Sequence, residues 1–406
     1  MSFYRYLPTP SDRMGIMWKL LSIKDSIVLE YGPAGTTHYS MGSLGSMGLN
    51  IENNLFTTHM SEEDVVMGDV SRLENAICEV DESYKPKVIF VMASAITSVI
   101  GADIPGVCHY MQERIKAKLV PVDEGGFKGD YSVGLGLAYN LLAKELIKPS
   151  EKKQLTYNIL GACQGSFRIN SDVWEVESLL SEAFNLKKGA TLGLESTTEE
   201  LENMSNAAFN IVLRAEAVEC AKFMESEFGI PFVYGSPYGY TGTLEWLQSV
   251  GDVLGIEINQ DLKVRIEEKA QEANQLRMYS MMGGRGLKAS LVGDYDVICG
   301  LYAFLSEVGF GVENVIFSHS LQGIYIKKDG VVHYENEKDK LDILKSLKGH
   351  LILGDDVCGH VAKDGNTCVT VSSPFFRQRQ IATHFPIMGE RGADGLVEVF
   401  YRYLSI

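Results

Sequence analysis

The sequence predicts an α/β protein of three consecutive segments, each a parallel sheet flanked by helices. Three observations lead there. Short β-branched apolar runs alternate with longer stretches of helical spacing along the whole chain. Most of those runs are continuous rather than alternating, the pattern of strands covered on both faces. The chain has 406 residues, 45% hydrophobic and 22% charged, more than one ordinary hydrophobic core organises.

In chain order, strands are expected at Ser26–Tyr31, Val88–Met92, Leu119–Val122, Tyr157–Leu160 and Phe209–Leu213. Further strands are expected at Pro231–Tyr234, Ala289–Val292, Val315–Ser318, His350–Leu353 and Thr367–Val371. The helix Ser61–Cys78 opens on a capping serine followed by Glu62, Glu63 and Asp64, which suit the positive end of a helix dipole. Asp172–Ala183, Ala215–Phe228, Thr243–Leu254, Asn259–Tyr279, Asp296–Val308 and Lys338–Leu347 carry apolar residues at helical spacing. Polar, proline-bearing 146–153 and glycine-rich 281–286 read as junctions. They divide the chain into segments 1–153, 154–284 and 285–406, the last with a C-terminal stretch expected to pack back on the first.

Composition narrows the function. A net charge of −16 argues against a general affinity for nucleic acid. No apolar run approaches the roughly 18 residues of a membrane span. Met1–Tyr6 lacks the pattern of a signal peptide, so a cytoplasmic location is expected. The seven cysteines form no C-x-x-C pair, and their odd number does not suggest a disulfide framework. Cys78, Cys220 and Cys299 sit among apolar residues as inert thiols do. Cys358 and Cys368 flank a turn at Asp364-Gly365-Asn366.

Ligands of open parallel sheets bind beyond the carboxyl ends of the strands. Those ends read Gly32–His38, Ser94, Asp123–Gly126, Cys163–Ser166, Arg214, Gly235–Tyr238, Gly293-Asp294, His319, Asp355-Asp356 and Ser372-Ser373. Glycines and small hydroxyl residues dominate and permit close approach of a ligand or another backbone.

Four stretches, in order, carry a resemblance. They are Met17–Gly35, ending in the Gly-Pro-x-Gly loop; Thr58–Gly68; Tyr84–Val91 running on to Val99–Ile104; and Val120–Gly129. Weaker similarity continues at Phe209–Pro231 and Pro374–Gly395. Together they resemble nitrogenase component 1, chiefly its β-type chains. They also resemble the catalytic component of dark-operative protochlorophyllide reductase and the nickel-sirohydrochlorin diamide reductase of methanogens. The resemblance implies three Rossmann-like domains and pairing with an α-like subunit or a second copy of the chain. It also implies electrons from an ATP-dependent iron protein, and a possible iron–sulfur cluster shared with the partner chain.

The family's cluster cysteines would fall near Pro10-Ser11, at Thr36 and at Ala95, and none of these is cysteine. The cysteine that anchors the active-site cofactor in the α-type chain would fall near Arg214. Candidate cofactor-binding residues are therefore Gly32, Gly35, Thr36, His38, Arg214 and Cys163. His38 and Asp12 are candidate iron ligands, since one cluster ligand can be histidine or carboxylate. Each has a structural counterpart: a backbone-bonded loop histidine, a helix cap at Asp12, an internal Arg214–Glu216 salt bridge and a buried thiol at Cys163. Asp123-Glu124 reads as a proton-donor pair or a solvated turn. Arg377, Arg379, His384 and Arg391 form a basic group suited to an anionic ligand, an acidic subunit surface or intrachain pairs. No catalytic residue is assigned. The expected function is a β-like subunit of a nitrogenase-like reductase acting on a small molecule, a tetrapyrrole among the possibilities. The alternatives are a non-redox cofactor- or precursor-binding scaffold, or a homo-oligomeric reductase with a non-cysteine cluster ligand.

Overall fold

The computed structural model describes residues 8–46, 54–151, 153–275, 278, 287–320, 333–334, 337–375 and 384–404. The first segment runs α1 (Asp12–Leu20), β1 (Ser26–Tyr31), α2 (Ala34–Ser46), β2 (Leu55–Thr57), α3 (Glu62–Met67) and α4 (Ser71–Tyr84). It continues with β3 (Val88–Ala93), α5 (Ala95–Ile100), α6 (Ile104–Met111), β4 (Lys118–Val122) and α7 (Tyr131–Leu146). Its strands form a parallel sheet in the order β2-β1-β3-β4. Every residue of β1 and β3 is buried, as continuous apolar runs require. The single helix expected over Ser61–Cys78 is two. A capping box between Ser61 and Asp64 starts α3, and Gly68 (φ 65°) ends it in the left-handed conformation that glycine tolerates.

The second segment runs β5 (Gln154–Leu160), α8 (Ile169–Phe184), β6 (Lys187–Thr191), α9 (Thr198–Glu202), β7 (Ala207–Val212), α10 (Val218–Phe228), β8 (Phe232–Tyr234), α11 (Tyr240–Leu254) and α12 (Gln260–Ala273), with strand order β6-β5-β7-β8. The helix expected to reach Tyr279 keeps its form through Ala273; Tyr279 and the 281–286 junction lie outside the described residues.

The third runs β9 (Lys288–Gly293), α13 (Tyr295–Glu307), β10 (Gly311–Phe317), β11 (His333–Tyr334), α14 (Glu337–Ser346), β12 (Leu351–Gly354), α15 (Asp356–Val361), β13 (Thr367–Thr370) and α16 (Gly389–Leu404), with strand order β11-β10-β9-β12-β13. All strand pairs in the three sheets are parallel. The cores are shared between segments. Trp18 and Leu135 of the first pack with Cys163 and Val212 of the second. Ile211 of the second packs with Leu291 and Phe304 of the third. The three sheets are therefore one packed body whose strand ends can meet.

The C-terminal stretch, expected against the first segment, lies on the second. Asp172 Oδ1 on α8 accepts from the Ile387 and Met388 N–H groups at 2.7 and 3.1 Å. Glu175 Oε2 holds Arg391 Nη1 at 2.6 Å, and Arg265 on α12 pairs with Glu390. Burial raises the Asp172 pKa to about 7, against the two N–H groups that favour the charged form. Because the folded pKa exceeds that of the unfolded chain, the folded state binds more protons between about pH 4 and 7. Stability from this group should therefore fall as pH rises through that window. Asp172→Asn keeps Oδ1 as acceptor and removes the titration. Urea midpoints measured from pH 4 to 8 should decline less steeply with pH in the variant. Parallel curves would refute the assignment.

Candidate functional site

At the carboxyl end of β1 the chain bends through Gly32-Pro33 and enters α2 at Ala34. The expected loop thus ends at Pro33, and Thr36 and His38 are helical. A side chain at Gly32 would press on Ser94, its Cβ 2.5 Å from that residue's Cβ, so glycine is needed where β1 and β3 end together. Gly35 faces open space. Behind the bend lies Glu30, fully buried in β1. The Thr36 hydroxyl lies 3.0 Å from its Oε1 and the Thr37 hydroxyl 2.8 Å from its Oε2. Arg13 Nη2 stands 2.5 Å from Oε2. The carboxylate is thus neutralised and hydrogen-bonded within the chain.

The other cluster positions likewise offer no thiolate. Ser11 precedes α1 as its N-cap. Ala95 opens α5 behind a capping box of Ser94 and Thr97. Asp12, the proposed carboxylate ligand, is buried in the first turn of α1. Its two oxygens accept the Arg13 and Lys128 N–H groups at 2.9 and 3.0 Å. Among the described residues, no group of three His, Cys, Asp or Glu side chains is placed to hold a metal ion. An iron–sulfur cluster wants thiolates. Here a hydroxyl, an alanine and a buried carboxylate occupy the ground, and the residues present do not fit that group.

A different space lies where the carboxyl ends of the three sheets converge, a cavity of about 640 Å³. From the first segment it is lined by Ser11, Arg13, Met14 and Trp18 of the α1 region, His38, Tyr39 and Ser40 of α2, and Tyr131 and Leu135 of α7. The second contributes Cys163, Gly165, Ser166 and Arg214. The third contributes Asp294, Phe317, Ser318, Lys340, Asp355 and Ser373. Several of these are residues that the strand-end rule selected. His38 is exposed at the rim.

The floor is a charge network that joins all three segments. Arg214 grips Glu216 with two nitrogens, Nη2 at 2.6 Å and Nε at 3.2 Å. Its Nη1 reaches Asp294 Oδ2 at 3.0 Å and Ser166 Oγ at 3.2 Å. The Tyr131 hydroxyl donates to the other oxygen of Asp294. Burial works against every charge here. In Arg214 that penalty is overcome by Glu216 and Asp294, which hold its pKa well above the ordinary value. In Asp294 burial is outweighed by Arg214, His319 and Tyr131, and the pKa ends below the carboxylate norm. Arg214 is thus the internal salt bridge of the two expected roles, still facing the cavity. Lys340 pairs with Asp355 on the opposite wall.

Cys163 is buried, and its thiol pKa is raised by that burial against the pull of Lys19 and Arg214. Lys19 itself is fully buried. It donates to the Ala162 carbonyl and lies 4.6 Å from the centre of the Tyr139 ring. Burial lowers its pKa to about 8. Asp123 and Glu124 lie apart from the cavity, Glu124 paired with Lys128. Of the expected basic group, Arg391 pairs with Glu175 and the His384 ring lies tilted against Trp174, centroids 4.5 Å apart; Arg377 and Arg379 fall outside the described residues. Sequence reasoning missed Arg13, Trp18, Tyr131, Ser318 and Lys340. Four of them lie on or beside helices or loops rather than at a recognised strand end. Ser318 is the last residue of an expected strand, and the strand-end rule selects its neighbour His319 instead.

The family model of nitrogenase component 1 type oxidoreductases matches residues 11–405. The chain belongs to that family. A NifE protein of Clostridium pasteurianum, described as a nitrogenase iron-molybdenum cofactor biosynthesis protein, is 30% identical over 82% of this chain and 70% of its own length. A NifE protein of Nostoc is 31% identical over 64% of this chain. The nitrogenase molybdenum-iron protein alpha chain of C. pasteurianum is 30% identical over 62% of it. The chain spans only about half of those last two relatives, 53% and 47% of their lengths. These relatives are NifE proteins and an alpha chain, whereas the four sequence stretches resemble chiefly β-type chains. A solved structure described as nitrogenase Cp1 at pH 6.5 superposes with a TM-score of 0.78 at 19% identity, covering 100% of this chain and 95% of that one. It shares the nitrogenase component 1 fold of three parallel sheets flanked by helices.

Proposed function

We propose that this nitrogenase component 1 family member is a non-redox binding subunit that holds a small molecule, a cofactor or its precursor, in the cavity between the three sheets. One observation carries the reading. The family's cluster loop is closed by Glu30, Thr36, Thr37 and Arg13, while the cavity beside it stays open and Arg13 lines both. A volume of about 640 Å³ lies in the range of ordinary ligand pockets, and a flat macrocycle is within its reach. The NifE relatives, described as cofactor biosynthesis proteins, agree with a scaffold role.

The carboxyl edge of the first sheet supports pairing with a related chain or a second copy. Val66, Met67, Val99 and Phe127, which follow its strands, are each at least 69% exposed, apolar side chains that a paired chain would cover.

A second reading, a β-like reductase subunit, is favoured by the oxidoreductase description of the family. It requires an ATP-dependent iron protein as electron source and a partner chain bringing every cluster ligand. Iron and acid-labile sulfide, assayed in anaerobically purified protein alone and coexpressed with its partner, separate the two. The scaffold reading, with an organic occupant in the cavity, expects neither iron nor sulfide in either preparation. Stoichiometric iron and sulfide only in the complex would replace it with the reductase reading. Iron in the lone chain, lost on His38→Ala, would point instead to a histidine-ligated cluster.

A further inference from the structure

The polar groups of the cavity divide into two kinds. Those on the floor and far wall are spoken for: Asp294 by Arg214 and Tyr131, Asp355 by Lys340. The α1 wall is different. Trp18 is 2% exposed and lines the cavity, and its Nε1–H has no acceptor among the described residues. Arg13 Nε–H likewise has none. Across the space, the Ser318 hydroxyl is also without a partner among the described residues. An indole N–H and a guanidinium N–H can only donate. Buried donors in a native protein are nearly always satisfied by something.

Arg13 is also fixed from behind. Glu30 holds Nη2 at 2.5 Å, and Ser40 Oγ accepts from Nη1 at 3.3 Å. Because Thr36 and Thr37 share the Glu30 carboxylate, that anchor does not depend on Arg13 alone. Gly165 lets the loop after β5 lie on the Trp18 ring, where a Cβ would stand 2.9 Å from its carbons. The lining also supplies apolar surface, from Met14, Leu135, Phe317 and Leu341.

On the reading that this cavity is the ligand site, we propose that its occupant is an organic anion with an apolar body, its anionic group at Arg13 and a further acceptor atom at Trp18. The buried ion pair that closes the cluster loop thereby becomes the support of an anion-recognition corner. The inference names a ligand class and the residue that selects it.

Two fluorescent probes of one shape test this. 8-Anilinonaphthalene-1-sulfonate carries a sulfonate, and N-phenyl-1-naphthylamine is the same apolar body without it. The intact protein should bind the sulfonate at one site about tenfold more tightly than the neutral probe, the scale of one charge-assisted contact. Arg13→Met should bring the two affinities together. Since that change orphans Glu30, the double variant Arg13→Met/Glu30→Gln serves as the check, with near-ultraviolet circular dichroism reporting the fold. Equal affinities in the unmodified protein would overturn the anion proposal and leave the cavity reading standing. A sulfonate preference that survives in the folded double variant would overturn it as well. Binding of neither probe would overturn both.

Discussion

Arg214→Met is expected to destabilise the protein by about 3–5 kcal/mol, the usual cost of removing one partner from a buried ion pair. Its guanidinium is the only cation hydrogen-bonded to either Glu216 or Asp294 among the described residues, and all three side chains are at most 6% exposed. Methionine fills much of the volume and leaves two largely buried carboxylates without their shared cation. Asp296 adds to the strain, its own pKa raised to about 6 by burial first and by Glu216 second.

The pH dependence has a definite sign. In the unmodified protein Asp294 is depressed by Arg214, so its contribution is complete above the unfolded pKa and is lost as pH falls through the folded one. In the variant the same carboxyls should titrate above their unfolded values. The deficit should therefore be largest at neutral and alkaline pH and shrink toward pH 4–5 as they protonate. Urea unfolding at pH 5 and 8 reads both effects. The triple variant Arg214→Met/Glu216→Gln/Asp294→Asn should recover much of the loss, because no buried charge is then left unpaired. A single variant as stable as the parent at pH 8 would show that the network contributes nothing to holding the three segments together.

That network explains what the sequence could disclose and what it could not. Strands buried on both faces announce themselves as apolar runs, so β1, β3 and β9 fall close to their expected places. The strands that were missed, β2, β6 and β11, each sit at an edge of a sheet. Paired on one side only, an edge strand has no need of such a run. Lys187-Lys188-Gly189 of β6 is exposed and reads as a loop. The strand-end rule located Cys163, Gly165, Ser166, Arg214, Asp294, Asp355 and Ser373 on the cavity, because parallel topology fixes where strand ends go. The same rule is silent about side chains delivered by helices. Arg13 and Trp18 reach the cavity from α1, which lies against α7, a placement set by tertiary packing. Arg214 was legible as a charged strand end, but its pairing with Asp294, 80 residues on, was not.

The packing that places α1 rests on two glycines, and Gly134→Ala should expose it. A Cβ at Gly134 would stand 1.8 Å from the Asp12 carbonyl oxygen, and one at Gly15 would stand 2.1 Å from that of Tyr131. Both obstacles are backbone, so no side-chain rotation relieves them and α1 and α7 must move apart. By helix propensity alone, alanine in α7 would be favoured over glycine by about 0.8–1.0 kcal/mol. The expected outcome is the reverse, a loss of about 1–3 kcal/mol or more from overpacking. Gly136→Ala in the same helix is the matched control. Its Cβ would meet only the Glu216 carbonyl at 3.4 Å, an ordinary contact, so it should be neutral or slightly stabilising. The two positions lie two residues apart in sequence, yet only Gly134 sits in the close helix–helix contact. Because α1 carries Arg13 and Trp18 while α7 begins with Tyr131, separating the helices also pulls the cavity wall from its floor. Gly134→Ala should therefore weaken sulfonate-probe binding even at temperatures where the protein remains folded, and Gly136→Ala should not. Equal stabilities for the two variants would mean that the close α1–α7 crossing is not what holds the cavity wall in place.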